Sequence, residues 1–366
     1  MEREVAAERY EHRFGQTPPL SLGVEEELLL VDERHQLVPE AELVIERLGG
    51  ESAEHVSTEI FAEQIEIKTG VCHGPDDVLG ELRTSRSSIV DAGFSLLGAG
   101  LHPTSSGDPP LVSKPRYDAV KDDLGAILNT PPCGLHVHVG MPGPETAVRI
   151  TNAFRAYLPV LQALSANSPF RKSTDTGHAS ARTTIVRSYP RFQVPRRFRD
   201  YEDFCRVADQ LIAAAGVDDY TYIWWDVRPH PRLGTVEVRA VDVQSDAAGS
   251  SAIAALIQAI AARELDRPRD IERITREALE ESYFQAASHG LDAQILLDEP
   301  EPEPARHLCR KVLDDVRRYA RELGTEDALV EIERILQEGN GADEQRRVAR
   351  SSGMDGLLEH LAERTR

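Results

Sequence analysis

Three short segments of this chain alternate between apolar side chains and side chains that carry charge or can bind a metal. Residues two apart in a strand share a face, so each segment would place its polar groups on one face and its aliphatic groups on the other. The aliphatic faces are typical of strands that cover a core. We therefore predict central strands at Gln64–Lys68, Leu135–Val139 and Val236–Arg239.

A fourth segment, Gly23 to Glu27, would add Glu25 and Glu27 to the same set. Glu and Leu are good helix formers, but the short span between Pro19 and Asp32 favours a strand. Glu26 would then point to the opposite face, with the aliphatic residues, and would need a partner there.

The polar faces of these strands predict a metal site. Carboxylates gathered on one face repel each other unless cations neutralise them. Oxygen-rich sites suit Mg²⁺ or Mn²⁺, with one imidazole tolerated. For any one pair taken alone, the alternative is a solvated sheet face.

The rest of the chain predicts an α+β fold, because strands fill the first two-thirds and helices the last third without strict alternation. We expect one domain over residues 1–366, with 1–15 as a mobile arm and 246–366 as its helical C-terminal part.

The pattern also predicts individual elements along the chain. These are a helix from Pro75 to about Leu97 capped by Asp76 or Asp77, a strand over 98–103, a helix from 145 to about 167 kinked at Pro159, an irregular segment over 171–199, a helix over 200–215, and two strands within 220–243 split by Arg228–Arg232.

Composition limits the function classes. The formal net charge is −20, and such a field repels phosphate backbones and anionic lipids, so neither nucleic acid nor a membrane is an expected partner. Four scattered cysteines, no N-terminal apolar segment and no apolar run of about 18 residues are consistent with a cytoplasmic protein.

The motifs together resemble the glutamate–cysteine ligase family, in its bacterial carboxylate–amine ligase branch. They occur in the family's order along nearly the whole chain. The matching stretches are Gly-Val-Glu-Glu-Glu at 23–27, Glu-Gln-Ile-Glu-Ile-Lys at 63–68, Gly-Leu-His-Val-His-Val-Gly at 134–140, Trp-Asp-Val-Arg-Pro at 225–229 and Gly-Thr-Val-Glu-Val-Arg at 234–239, with further matches at 102–103, 165–170, 175–182 and 339–346.

This resemblance implies a glutamine synthetase-like fold, in which a curved antiparallel sheet forms a funnel with helices outside. It implies an ATP- and Mg²⁺-dependent (or Mn²⁺-dependent) ligase that joins a carboxylate such as that of glutamate to an amine such as that of cysteine, through an acyl phosphate. A homodimer is a further expectation from the family.

The resemblance also implies roles for individual residues. Glu66, Glu237 and Arg239 match catalytic positions, and Arg239 and Arg182 match contacts to the nucleotide. His138, Arg182 and His102 are the expected substrate contacts. The expected metal ligands are Glu25, Glu27, Glu59, Glu66, His136 and Glu237.

Two alternatives remain open from the sequence. Residues 171–174 and 282–289 depart from the family's pattern, and at 282–289 arginines are missing, so a ligase-like fold without activity could bind a nucleotide or metabolite instead. The second alternative is a zinc amidohydrolase, prompted by His136 and His138 two residues apart.

Overall fold

Antiparallel strands form the centre of the protein. The structure, a computed structural model, describes residues 10–269 and 274–366. In chain order its strands are β1 (Leu22–Val31), β2 (Val56–Thr58), β3 (Gln64–Lys68), β4 (Ser95–Leu97), β5 (Gly134–Gly140), β6 (Phe170–Arg171), β7 (Thr174–Asp175), β8 (Val227–His230), β9 (Thr235–Asp242), β10 (Gln294–Ile295) and β11 (Glu303–Pro304).

Seven of the described strands make one sheet with the order β2-β3-β1-β5-β9-β8, and β4 pairs with β1 beside this path. Every pair in it is antiparallel. The predicted strands at 64–68 and 135–139 are present, and Gly23–Glu27 lies in β1. A β-bulge interrupts the pairing of β5 with β9, where Leu135 faces Val241 but Val137 faces Val238.

Helices cover the apolar face of the sheet. In chain order the helices of the described residues are α1 (Ala41–Leu48), α2 (Gly50–Glu54), α3 (Pro75–Asp91), α4 (Pro115–Leu124), α5 (Pro144–Ser165), α6 (Ala181–Val186), α7 (Tyr201–Ala215), α8 (Ala247–Asp266), α9 (Arg276–His289), α10 (Ala305–Leu323), α11 (Val330–Glu338) and α12 (Gly341–Thr365). Aliphatic residues of β1, β3, β5 and β9 share one core with α5, α8 and the C-terminal helices. This burial is the main favourable contribution to folding.

Several predicted boundaries were wrong. The helix that begins at Pro75 ends at Asp91, and β4 follows where the helix was expected to continue, so the strand lies before residue 98 and not at 98–103. Gly74 is the N-cap of α3, and Asp76 and Asp77 lie in its first turn. The helix predicted from 145 to about 167 is confirmed as α5, and Pro159 lies inside it.

Two segments are more ordered than expected. Within 171–199, the chain forms α6 and the small β6–β7 hairpin. The predicted split at Arg228–Arg232 falls later, because β8 runs to His230 and a short 3-10 helix turns the chain at Pro231–Leu233. Residues 1–9 of the expected arm lie outside the described residues, whereas Tyr10 and Phe14 are buried, so residues 10–15 are not a free arm.

Glu26 finds its partner in a buried arginine. Its side chain lies on the helix-covered face of β1 and forms two hydrogen bonds with Arg86 of α3, from Nε at 3.0 Å and from Nη2 at 2.8 Å. Arg86 also donates to the carbonyl oxygens of Ser245 and Thr365, at 3.0 and 3.2 Å. One guanidinium thus ties β1 and α3 to the segment between β9 and α8 and to the end of α12.

Within residues 10–269 and 274–366, none of the helices combines the length and the apolar character needed to cross a bilayer.

Candidate active site

The register of the sheet places the predicted ligands in adjacent rows on the face opposite the main hydrophobic core. Glu25 pairs with Lys68 on one side and with His136 on the other. Glu27 pairs with Glu66, and His138 pairs with Glu237. Residues far apart in sequence therefore meet because four neighbouring strands each contribute alternate side chains.

Three groups of ligand atoms lie close enough to share a cation. In each group the ligand atoms are within 4.8 Å of one another. Glu25 belongs to two groups and Glu66 to two, so the groups are linked. Their members are Glu25, Glu66 and His136; Glu25, His138 and Glu237; and Glu27, Glu59 and Glu66.

Burial and mutual repulsion raise the pKa values of several of these carboxyls. The pKa of Glu59 lies well above its usual range, first because the group is desolvated and then because Glu66 and Glu27 are negative neighbours. Burial also raises the pKa of Glu66, with Glu25 as its main repulsive neighbour. Desolvation raises the pKa of Glu27, although the charge of Arg182 opposes it. A bound cation would relieve this repulsion.

Lys68 neutralises part of the site, and histidines form hydrogen bonds within it. Lys68 Nζ lies 2.5 Å from Glu66 Oε2 and 4.0 Å from Glu25 Oε1. Burial opposes ionisation of Glu25, but its hydrogen bond with His136 and the nearby charge of His138 outweigh burial and hold its pKa below the usual range. Burial and the charge of Arg239 lower the pKa of His136 to about 4, so this imidazole is neutral at pH 7.

Glu237 lies between two arginines. Arg228 donates from Nε to Oε2 at 2.6 Å, and Arg239 bonds Oε1 through Nη1. Burial opposes ionisation of Glu237, yet the charges of Arg228 and then Arg239 hold its pKa well below the usual range. Arg228 also donates to the carbonyl of Ile223 at 2.6 Å, which links Glu237 to the segment before β8.

Arg182 lies beside the strand that carries the two histidines. It is buried, and its Nε and Nη1 have no hydrogen-bond partner among the described residues. Its nearest acid is Asp242, whose Oδ1 is 3.7 Å from Nη1. Asp242 in turn accepts from the hydroxyls of Ser168 and Ser180 at 2.7 and 2.8 Å. The Nε and Nη1 donors of Arg182 are therefore available to a ligand.

These side chains line a cavity of about 410 Å³. One part of its wall consists of the charged residues above. Another part is apolar and includes Phe61, Leu124, Tyr189, Phe192 and Trp224. A cavity with a charged wall and an apolar wall suits a ligand that has both a polar and an apolar part.

Most of the sequence-predicted residues meet in this cavity, and one does not. Glu25, Glu27, Glu59, Glu66, His136, His138, Arg182, Glu237 and Arg239 all line it. His102 does not: its Nε2 lies 2.8 Å from the carbonyl of His35, and its Nδ1 accepts from the backbone N–H groups of Thr104 and Ser105. His102 therefore orders a turn, and the prediction that it contacts substrate is corrected.

Sequence reasoning missed Lys68, Arg228 and His230, which also line the cavity. Lys68 is two residues after Glu66, so the alternation that selected Glu66 also selects Lys68. Arg228 and His230 were missed because the Arg-Pro-His-Pro run was interpreted as a break between strands. Residues 282–289 depart from the family's pattern but do not line this cavity.

The side chains of the three candidate groups are better suited to bind a divalent cation than to bind water alone. The Nε2 atom of His138 is buried without a hydrogen-bond partner among the described residues, and it lies 3.7 Å from Glu25 Oε1 and 3.9 Å from Glu237 Oε1. Each candidate group contains at most one imidazole, and the rest of each group is carboxylate. This composition suits Mg²⁺ or Mn²⁺ more than zinc, which favours sites rich in histidine and cysteine.

Comparison with known proteins identifies the family. The sequence profile described as Glutamate-cysteine ligase family 2 matches residues 21–364. The chain belongs to this family. A relative from Rubrobacter xylanophilus with a provisional glutamate–cysteine ligase name is 37% identical over 365 residues, 97% of this chain and 99% of the relative. One from Haloquadratum walsbyi, named glutamate–cysteine ligase, is 35% identical over 355 residues, 93% of this chain and 95% of the relative.

Two solved structures share the fold. A glutamate–cysteine ligase from Francisella tularensis in complex with AMP superposes with a TM-score of 0.73 at 14% identity, over 95% of this chain and 89% of that chain. A bifunctional glutathione synthetase from Pasteurella multocida gives 0.67 at 14% identity, over 100% of this chain and 54% of that chain. The expected α+β, glutamine synthetase-like fold is confirmed.

Proposed function

We propose that this family member is an ATP-dependent carboxylate–amine ligase of the glutamate–cysteine ligase type. The observation that carries the proposal is the meeting of carboxylates, imidazoles and Arg239 on one face of four strands. Phosphoryl transfer needs little more from a protein than cation sites, positioning and cationic side chains. The cavity offers all three.

In the proposed reaction, a substrate carboxylate oxygen attacks the γ-phosphorus of ATP, and ADP leaves. The amine nitrogen then attacks the acyl carbon, loses a proton, and phosphate leaves as the amide forms. Mg²⁺ or Mn²⁺ held by Glu25, Glu27, Glu59, Glu66, His136 and Glu237 would neutralise charge on the phosphate oxygens.

Arginines of the chain supply the remaining positive charge in this proposal. Arg239 is fixed by Glu237, while its Nε is buried and has no hydrogen-bond partner among the described residues. It can therefore donate to a phosphate oxygen without losing its anchor. Arg182 has unused donors in the same cavity and is proposed to hold the nucleotide or the carboxylate of the substrate.

Further parts of the proposal concern the substrates, the location, the domain organisation and the oligomeric state. We propose glutamate and cysteine as the first substrates to test, a cytoplasmic location, a single domain and a homodimer. The core shared by the sheet and the C-terminal helices supports the single domain.

A coupled ADP-release assay over pairs of amino acids and amines tests the function. We expect ADP formation that requires both substrates, disappears with EDTA and returns with Mg²⁺, together with a product whose mass is that of the amide. Calorimetric binding of ATP with Mg²⁺ but no ADP from any pair would contradict the ligase and favour a nucleotide-binding protein.

Gly134→Ala tests the position of Arg182. A Cβ at residue 134 would collide with Nη2 of Arg182 and would lie 3.0 Å from its Cζ. Because the colliding group is the end of a flexible side chain, we expect Arg182 to move and the melting temperature to change little. The KM for ATP or for the acid should rise on the order of tenfold, as for one lost charged hydrogen bond of about 1.5 kcal/mol. Unchanged KM values would show that Arg182 contacts neither ATP nor the acid substrate.

A further inference from the structure

A second cavity, of about 310 Å³, is lined by described residues that are all different from those of the candidate active site. It lies between the first turns of α5, the segment that precedes α7 and the end of α8. Arginine is prominent in its lining, although the chain as a whole carries a net charge of −20. The charged residues that line it are Arg149, Arg197, Arg199, Arg269, Glu145 and Glu264.

Two walls of this cavity are fixed against each other by a buried asparagine. Arg149 and Asn152 are three residues apart, so they share one face of α5. Asn152 donates from Nδ2 to the carbonyl of Phe198 at 2.7 Å, and its Oδ1 accepts from the N–H of Phe198 at 2.9 Å. Phe198 is buried, and its two neighbours Arg197 and Arg199 line the cavity. The segment before α7 is therefore positioned against α5 without the help of a ligand.

The buried carboxylate of this cavity is already compensated. Glu264 is 1% exposed, and its Oε1 accepts from the hydroxyl of Tyr157 and from Nη1 of Arg263, both at 2.6 Å. Its Oε2 accepts from the backbone N–H of Arg269 at 3.0 Å. Because Arg263 does not line the cavity, Glu264 takes its main counter-charge from outside it.

Two of the lining arginines keep donors for a ligand. Arg149 donates from Nη1 to the backbone carbonyl of Glu264 at 2.7 Å and forms no ion pair with a described residue. The side chain of Arg269 is only 10% exposed, and its two terminal nitrogens bind Asp298 and Asp315. Its Nε is buried without a hydrogen-bond partner among the described residues, and lies 3.5 Å from an oxygen of Glu264. A buried donor without a partner is costly unless a ligand satisfies it.

Positive charge dominates the surroundings of this part of α5. Arg155 lies one turn beyond Asn152, and burial together with the charges of Arg197 and Arg276 lowers its pKa to about 10. The charge of Glu277 acts in the opposite direction and is the smaller effect. An anion bound nearby would relieve this repulsion between arginines.

We propose that this cavity binds a small polyanion, a phosphorylated or polycarboxylate metabolite, through Arg149 and Arg269, at a site separate from the candidate active site. A guanidinium matches either kind of anionic group through paired hydrogen bonds. Phe198 is the one aromatic side chain among the described lining residues, and at 1% exposure it offers no face on which a base could stack. The ligand is therefore a compact anion and not a nucleotide. This proposal does not depend on the proposed ligase function.

Calorimetric titration of the metal-free protein with inorganic pyrophosphate and, separately, with citrate tests the proposal. Without metal, the carboxylates of the candidate active site repel both anions. We expect at least one of them to bind, with an affinity that falls as KCl is added because salt screens the attraction. The anion that binds more tightly identifies phosphoryl or carboxylate groups as the preferred ligand.

Arg149→Gln should weaken this binding on the order of tenfold, as for one lost hydrogen bond between charged groups. Arg149→Lys keeps the charge and should retain part of the affinity. Glu145→Gln should act in the opposite direction. The carboxylate of Glu145 is exposed and accepts from the N–H of Tyr201 at 3.3 Å, so its removal takes a negative charge from the lining and should tighten binding by about twofold to fivefold.

The matched control is Arg310→Gln in α10. Arg310 is exposed, forms no ion pair with a described residue and does not line the cavity, so its replacement should leave the affinity unchanged. Failure of both anions to bind at millimolar concentration, or wild-type affinity in a folded Arg149→Gln protein, would overturn the proposal. Binding that Arg182→Met abolishes and Arg149→Gln leaves intact would place the anion in the candidate active site and would overturn it as well.

Discussion

Replacing Glu66 by glutamine should lower substrate-dependent ADP formation on the order of 10²- to 10³-fold, the loss found when one group that stabilises transition-state charge is removed. Glu66 is the carboxylate common to two of the candidate cation groups, so its neutralisation weakens both. The fold should persist, because burial and the charge of Glu25 already raise the pKa of this carboxyl. At neutral pH its ionised form is therefore a cost to the folded state.

Glu63→Gln is the matched control for this variant. Glu63 lies just before β3, and burial raises the pKa of its carboxyl too, but it does not line the cavity. It should keep wild-type ADP formation. The two variants are compared by their initial rates of ADP formation at saturating ATP and Mg²⁺ and by their melting temperatures. Full turnover in a folded Glu66→Gln protein would contradict the assignment of Glu66 as a metal ligand and catalytic residue.

Arg86→Met should lower the free energy of unfolding by about 3 to 5 kcal/mol, because it leaves the carboxylate of Glu26 buried without its partner. Neither side chain of this pair is more than 2% exposed. The carbonyl oxygens of Ser245 and Thr365 would lose a donor as well. Equilibrium unfolding in urea, monitored by tryptophan fluorescence and circular dichroism, measures the change.

Arg83→Met, one turn earlier in α3, provides the comparison. Arg83 is exposed, and exposed charges contribute little to stability, so this variant should unfold within about 0.5 kcal/mol of wild type. Equal unfolding free energies for the two variants would show that the buried pair contributes nothing beyond a surface arginine. The double variant Glu26→Gln with Arg86→Met should recover part of the loss, since no buried charge remains.

The centre of the sheet could be predicted from sequence because its signal is local. Alternation over five residues identifies both the strand and the face on which Glu66 or His136 lies. The same period identifies Glu26 as pointing away from Glu25. The polar groups on the four faces are mainly carboxylates and imidazoles, which can share cations, and this indicates that the faces meet. The register of β1 with β3 and β5 brings them together.

Other features depend on distances that no local pattern encodes. Arg86 lies 60 residues from Glu26, and nothing in α3 distinguishes it from Arg83 except its position on the helix. The end of α3 at Asp91 was missed because the apolar run Phe94 to Leu97 continues the helical period while forming β4. The contact of Thr235 with His138 depends on the pairing of two strands, and the cavity role of Arg228 was hidden by the prolines around it.

The β-bulge between β5 and β9 determines which side chains of β9 share a face. The extra residue on β9 keeps Val238 and Val241 on the apolar face although they are three apart, and so leaves Asp242 directed at Arg182. Deleting Ala240 would remove the bulge and leave Val238 and Val241 two apart, still on one face, whereas deleting a residue from the regular ladder between Thr235 and Val238 would exchange the faces on one side of the deletion. Natural or engineered insertions and deletions should therefore collect in the surface loops, such as 298–302, while the count of residues from Thr235 to Val238 stays fixed.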